Sequence, residues 1–128
     1  MSTGLENLEI YKLAERLEIY VYKLTEVFSF NMRNTTNQLR RSSEGVTNNI
    51  AESYGRYTFP DKIYKIHIAR GEAEETRIGI IKCWKKGLLP KEVSDTVNVK
   101  YSELIKMING YIKFLRKQQD NAKKKKTN

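Results

Sequence analysis

The chain has 128 residues, 39% hydrophobic and 30% charged, which suits one soluble globular domain. Its net charge of +9 points to an anionic partner, and its single cysteine excludes an internal disulfide. One His and one Cys cannot make a His/Cys-rich zinc site, and no apolar run approaches the roughly 18 residues of a membrane-spanning helix.

The opening, MSTGLENLEIYKLAERLEIY, alternates apolar and charged residues and lacks a signal-peptide core, so a cytoplasmic location is expected. A first helix is predicted from about Leu8 to Phe28. Its seam is Ile10, Ala14, Leu17, Val21, Leu24 and Phe28, in unbroken steps of four and three. Tyr11, Tyr20 and Tyr22 lie off that seam. In the polar link that follows, Asn34, Thr35 and Thr36 are candidate N-caps for the second helix.

The second helix is predicted over about Thr36 to Tyr54, with Gly55 as its C′ residue. Its seam, Leu39, Ser43, Val46, Ile50 and Ser53, contains two serines, and Asn48 and Asn49 crowd beside it. Small seam residues let helices approach closely, and buried hydroxyls then need partners. The segment is therefore a specificity device in a helical core or part of an interface.

Thr58-Phe59-Pro60-Asp61 opens a third helix, with Thr58 as cap and proline in the first turn, and Gly87 ends it. Its seam is Ile66, Ala69, Ala73, Thr76, Ile80 and Cys83, again small, which makes Cys83 a buried hydrophobe. A second stripe, Tyr64, Ile68, Gly71, Glu75 and Ile78, implies more than one neighbour. A fourth helix runs from about Pro90 to Lys117 on the seam Val93, Val97, Tyr101, Leu104, Ile108, Tyr111 and Leu115. Ile105, Met107, Ile112 and Phe114 widen its apolar surface, which suggests contact with another subunit.

The short connections favour antiparallel neighbours. The expected fold is all-α, an antiparallel up-down-up-down left-handed four-helix bundle over residues 1–119. Residues 120–128 are expected to form a disordered basic tail. Lys123 to Lys126 hold four of the nine net charges, leaving +5 on the rest.

Nothing marks an enzyme, a cofactor site or a metal centre. His67 is the only histidine and reads as structural or surface. There is no phosphate loop, and Glu72, Glu74 and Glu75 lack the histidine three residues on that a di-metal bundle requires. Ion pairing accounts for these carboxylates better. Glu52 and Arg56 stand at i,i+4, as do Arg70 and Glu74. Across helices, Arg40, Arg41 or Arg70 can meet Glu52 or Glu75. Arg40 and Arg41 lie about 100° apart on a helix, so one can hold the core while the other faces a partner.

The same residues carry a family resemblance. Gln38-Leu39-Arg40-Arg41, Asn49-Ile50-Ala51-Glu52 and Gly55-Arg56 resemble the signature of the bacterial four-helix bundle proteins, also called 23S ribosomal RNA intervening-sequence proteins. That signature reads roughly QLRRA…SIPSNIAEGxGR. Ile68-Ala69-Arg70-Gly71 with Glu75 is similar to the family's IARGSxxE. Leu8-Glu9-Ile10-Tyr11-Lys12, Gly87-Leu88-Leu89 and Met107-Ile108-Asn109-Gly110-Tyr111-Ile112 match its opening, last turn and last helix, so the likeness spans about residues 5 to 117. Asn49, Glu52, Arg70, Gly71 and Glu75 are the structural motif it implies. Ser53 departs from the pattern where Gly is usual, Glu72 where Ser is, and Val46-Thr47-Asn48 where Ile-Pro-Ser is. The last change removes a helix-kinking proline, and the first two call close packing into question.

The resemblance implies a ring-like homopentamer with a basic surface for nucleic acid. It also implies a link to the accessory variability determinants of diversity-generating retroelements, which engage RNA and a reverse transcriptase. The expected function is a non-enzymatic, oligomeric RNA- or DNA-binding bundle. The rival reading is a protein-interaction scaffold, such as a reverse transcriptase accessory subunit. Candidate nucleic-acid contacts are Arg33, Arg40, Arg41, Arg56, Lys62, Lys65, Lys82, Lys85 and Lys86, with Lys123, Lys124, Lys125 and Lys126 of the tail. Tyr22 and Tyr57 are candidates for stacking on bases.

Overall fold

Four α-helices make up nearly all of the computed structural model, which describes residues 4–127: α1 (Glu9–Thr25), α2 (Arg33–Gly55), α3 (Phe59–Lys85) and α4 (Lys91–Thr127). No strand occurs among the described residues. Residues 1–3 of the expected bundle domain and residue 128 of the expected tail lie outside them.

The fold is all-α, a four-helix bundle in which consecutive helices are neighbours. The largest contacts are those of α3 with α2 and α4, and α4 closes back on α1. Partner residues run in opposite order along adjacent helices. Ser53 meets Lys62 and Ser42 meets Thr76 between α2 and α3. Arg70 meets Asn109 and Arg77 meets Asn98 between α3 and α4.

The α3 seam is buried as its periodicity predicts, at Ile66, Ala69, Ala73, Thr76, Ile80 and Cys83. Thr58 accepts a hydrogen bond from the Asp61 backbone N–H at 3.3 Å, and Pro60 sits in a first turn that needs no N–H from it. At the other end Gly87 takes φ 81°, and Leu88 N donates to Cys83 O at 2.8 Å. That left-handed residue satisfies carbonyls which the last turn leaves unpaired.

The α2 seam is wider and more polar than its spacing suggests. Ser42 and Thr47 are buried with Leu39, Ser43, Val46, Ile50 and Ser53. Each hydroxyl finds a partner. Ser43 donates to Arg40 O at 3.1 Å, and Ser53 donates across to Lys62 O at 2.8 Å. The Ser42 and Thr76 hydroxyls are 2.7 Å apart. Glycines complete the close approach. A Cβ at Gly79 would lie 2.7 Å from Leu39 Cδ2, and one at Gly45 would lie 3.0 Å from Glu72 Cδ. Gly45 thus makes room for the Glu72 side chain that departs from the family pattern.

Element ends differ from expectation in four places. α1 stops at Thr25, whose hydroxyl turns back to Val21 O and Tyr22 O, and Leu24 and Phe28 are only partly buried. α2 begins at Arg33 behind a 3-10 turn over Phe30–Met32, so Asn34, Thr35 and Thr36 lie inside its first turn rather than capping it. Gly55 is the last helical residue and has no left-handed φ. α4 continues to Thr127, past the end expected near Lys117 and through residues expected to form a disordered tail. Its last buried residue is Leu115, so helix propensity of a Lys- and Gln-rich segment carries it on without core contacts. α4 is roughly 55 Å long against roughly 40 Å for α3, at about 1.5 Å per residue.

Candidate nucleic-acid interface

The predicted cations divide by what holds them. Arg40 is structural. Its Nε donates to Thr25 Oγ1 at 2.9 Å and its Nη2 to Tyr22 O at 3.3 Å, while the guanidinium lies 3.9 Å from the Tyr22 ring centroid. It serves a carbonyl at the C-terminal end of α1, where acceptors are unpaired and the helix dipole favours a cation. Lys62 does the same for α2, donating to Tyr54 O at 3.0 Å and Ser53 O at 3.4 Å.

Arg41 bridges from α2 to α3, 2.6 Å from Glu75 and 3.6 Å from Glu72. Lys65 pairs with Glu52 at 2.8 Å, which lowers the Glu52 pKa through that hydrogen bond. Glu52 therefore has an interhelical ion pair where an i,i+4 pair with Arg56 was expected. Arg70 likewise does not pair with Glu74, which Arg77 engages instead. Asn49 Nδ2 donates to Gly45 O at 2.8 Å. Gly71 is exposed, and nothing lies within 4 Å of a Cβ built on it.

The remaining candidates are exposed at the two ends. Arg33 stacks on Phe30, 4.6 Å from its centroid. Arg56 follows α2, and Lys82, Lys85 and Lys86 occupy the end of α3. Lys82 and Lys86 line a cleft of about 470 Å³ between α2 and α3, with Asn34, Gln38, Ile78 and Cys83 among its walls. Lys123, Lys124, Lys125 and Lys126 ride on the last turns of α4, exposed. Tyr57 is fully exposed, whereas one Tyr22 face is covered by Arg40.

A further basic surface emerges from the packing of α3 on α4. Between Glu103 and Asp120, α4 carries Lys106, Lys113, Arg116 and Lys117 and no acid. Lys106, Lys113 and Lys117, seven and four residues apart, share an exposed face. Arg116 lies toward α3, its Nη2 3.5 Å from His67 Nε2. Between Asp61 and Glu72, α3 carries no acid, and of its cations there Arg70 faces α4 while Lys62 and Lys65 face α2. None of the four α4 cations was singled out from the sequence. Their signal was there, in the acid-free run from Leu104 to Gln119, but it becomes a surface only once α3 is placed beside it.

Electrostatics mark two groups of α3, His67 on its α4 side and Glu72 on its α2 side. Partial burial, with Arg70 and Arg116 beside it, lowers the His67 pKa. Burial raises that of Glu72, with Glu75 adding to the effect and Arg41 opposing it. Cys83 is buried and its thiol pKa is raised by desolvation, which keeps it unreactive. Among the described residues no group of three His, Cys, Asp or Glu side chains is placed to hold a metal. No helix among them is long and apolar enough to cross a membrane.

Fold and surface together define a small basic helical bundle with polar, closely packed seams. The chain belongs to the 23S rRNA-intervening sequence protein family, whose sequence model matches residues 6–110. A solved structure from Bacteroides thetaiotaomicron VPI-5482, a protein of unknown function from the S23 ribosomal protein family, has the same fold. It is 21% identical, with a TM-score of 0.78 over 85% of this chain and 98% of that one. No curated protein matches the chain in sequence.

Proposed function

We propose that the protein is a non-enzymatic, oligomeric bundle that binds nucleic acid, RNA in preference to DNA, through its basic surface. The observation that carries this is the α3–α4 face, where five Lys and Arg residues, Arg70, Lys106, Lys113, Arg116 and Lys117, stand on stretches that hold no carboxylate. Arg41, Lys65 and Arg77 are cancelled in ion pairs, whereas among the described residues no carboxylate pairs with these five. Such a face attracts a polyanion through phosphate contacts, with strong salt dependence and little base preference. The family's link with ribosomal RNA genes favours RNA.

The uncovered second stripe of α3 supports assembly. Tyr64 is 64% exposed and Ile78 42% exposed, and Gly71 between them leaves a flat strip. A second copy of the chain is the partner proposed for it, and a homopentameric ring is the state the family resemblance implies. The same stripe favours the second reading, a scaffold that docks a protein such as a reverse transcriptase.

Titration of a structured RNA at two salt concentrations tests the first reading. Micromolar or tighter binding at low salt that weakens steeply at higher salt supports it, and absence of binding at low salt overturns it. Native mass measurement tests assembly, and a monomer at micromolar concentration rules out the ring.

A further inference from the structure

We infer that His67, Arg70, Asn109 and Arg116 form a phosphate-binding clamp across α3 and α4, at which the backbone of an RNA strand docks. The inference rests on the nucleic-acid reading and locates its anchoring contact.

Hydrogen-bond accounting at His67 shows what is missing. Arg70 Nη2 lies 2.9 Å from His67 Nδ1, and Arg116 Nη2 lies 3.5 Å from His67 Nε2. A guanidinium has donors only, and a neutral imidazole has one N–H and one lone pair. Only one of the two contacts is therefore a hydrogen bond. The shorter one assigns the lone pair to Nδ1 and the proton to Nε2, so the Nε2–H faces an Arg116 N–H. Protonating the ring makes matters worse, because both contacts then oppose donor to donor with three positive charges together. Arg70 Nη1 donates to Asn109 Oδ1 at 2.7 Å, which leaves the Asn109 amide N–H groups as further donors.

Four donor-bearing side chains thus converge, and among the described residues no carboxylate pairs with any of them. An oxygen anion accepts from His67 Nε2–H and Arg116 together, and unlike a water molecule it also offsets the charge of two adjacent guanidinium groups. A polymer fits better than an isolated ion. Lys113 stands three residues from Arg116, and Lys106 is a further seven residues along, about 10 Å at 1.5 Å per residue. Gly110 lies between them on the exposed side, with nothing within 4 Å of a built Cβ, so a backbone can approach closely.

His67 is the only histidine, so its ring resonances report on the clamp alone. The experiment follows them by NMR through pH titrations at fixed ionic strength, with a short single-stranded RNA, with inorganic pyrophosphate, and with a polyglutamate peptide. RNA and pyrophosphate are expected to move the ring signals and raise the His67 pKa, reversing the effect of the two arginines. Arg116→Gln is expected to abolish the response and weaken RNA binding about 3- to 10-fold, against less than 2-fold for Lys100→Gln on another face of α4. Ring signals indifferent to saturating RNA overturn the clamp, as do equal losses for the two variants or an equal response to polyglutamate. If RNA does not bind at all, the nucleic-acid reading fails alone, and the pyrophosphate arm still decides whether the clamp takes phosphate.

Discussion

Arg40 Nε donates to Thr25 Oγ1 over 2.9 Å, so α2 holds the final turn of α1 through one side chain. The adjacent Arg41 turns toward α3 and pairs with Glu75. Both arginines of the signature are thus engaged within the chain, one toward α1 and the other toward α3. Arg40→Ala removes two hydrogen bonds and the stacking on Tyr22, and leaves a buried threonine hydroxyl with one partner fewer. It is expected to cost about 1–2 kcal/mol in urea unfolding. RNA affinity of the folded variant should fall no more than for Lys100→Gln. A larger loss would return Arg40 to the binding surface.

How much of this was legible follows from what each signal depends on. The α3 seam and its Thr58 and Gly87 ends were readable because periodicity and caps are local. The position of Ser42 was not, because it is buried only through the approach of Thr76, 34 residues away. The start of α2 was missed because Asn34, Thr35 and Thr36 all look like caps, yet a 3-10 turn brings the chain into the helix earlier. Ion pairs were the least legible part. Glu52 stands four residues before Arg56, but Lys65 on the neighbouring helix offers a 2.8 Å contact. The arginines named first as nucleic-acid contacts came from a motif, whereas the acid-free face needed two helices side by side.

The hydroxyl pair at the centre of the α2–α3 seam gives a second test. Ser42 and Thr76 share one hydrogen bond, and the remaining proton goes to Leu39 O at 3.3 Å or Glu72 O at 2.9 Å. Thr76→Val keeps the volume and removes the hydroxyl, leaving Ser42 with Leu39 O alone. A loss of about 1 kcal/mol is expected. Ser42→Ala should cost a similar amount, and the double variant less than the sum, because the shared bond is lost only once. Strict additivity in urea unfolding would show that the two hydroxyls act independently.

Glu72 predicts a pH dependence of opposite sign to its neighbours. Its carboxyl is buried beside Gly45, and its folded pKa is raised above the unfolded value of about 4.3. The folded state therefore holds this proton more tightly. Stability falls as pH rises from the unfolded value through the folded one, and the penalty persists at neutral pH. Glu52 and Glu74, with lowered values, contribute stability above the unfolded value that is lost on acidification. Glu72→Gln keeps the shape and removes the charge, while Arg41 retains Glu75. It should raise the urea midpoint at pH 7, and the gain should vanish below about pH 4, where the wild-type carboxyl is protonated in both states. A gain that is the same at every pH would assign the effect to packing rather than ionisation.

Gly71 carries the last prediction. It lies in the interior of α3 without positive φ, exposed, and with no atom near the place of a Cβ. Nothing within one chain requires glycine there, and an interior helical glycine costs about 0.5–1 kcal/mol relative to alanine. Tyr64, Ile68 and Ile78 lie along the same stripe, with both ends exposed. Gly71→Ala is therefore expected to stabilise the isolated chain by about that amount. If the stripe packs against a second copy, the added methyl holds the two backbones apart and weakens the assembly at least several-fold. Urea unfolding under dilute conditions reads the first effect, and sedimentation or native mass across a concentration series reads the second. Stabilisation with unchanged assembly would remove this stripe from the subunit interface, whereas destabilisation at every concentration would contradict the open space around Gly71.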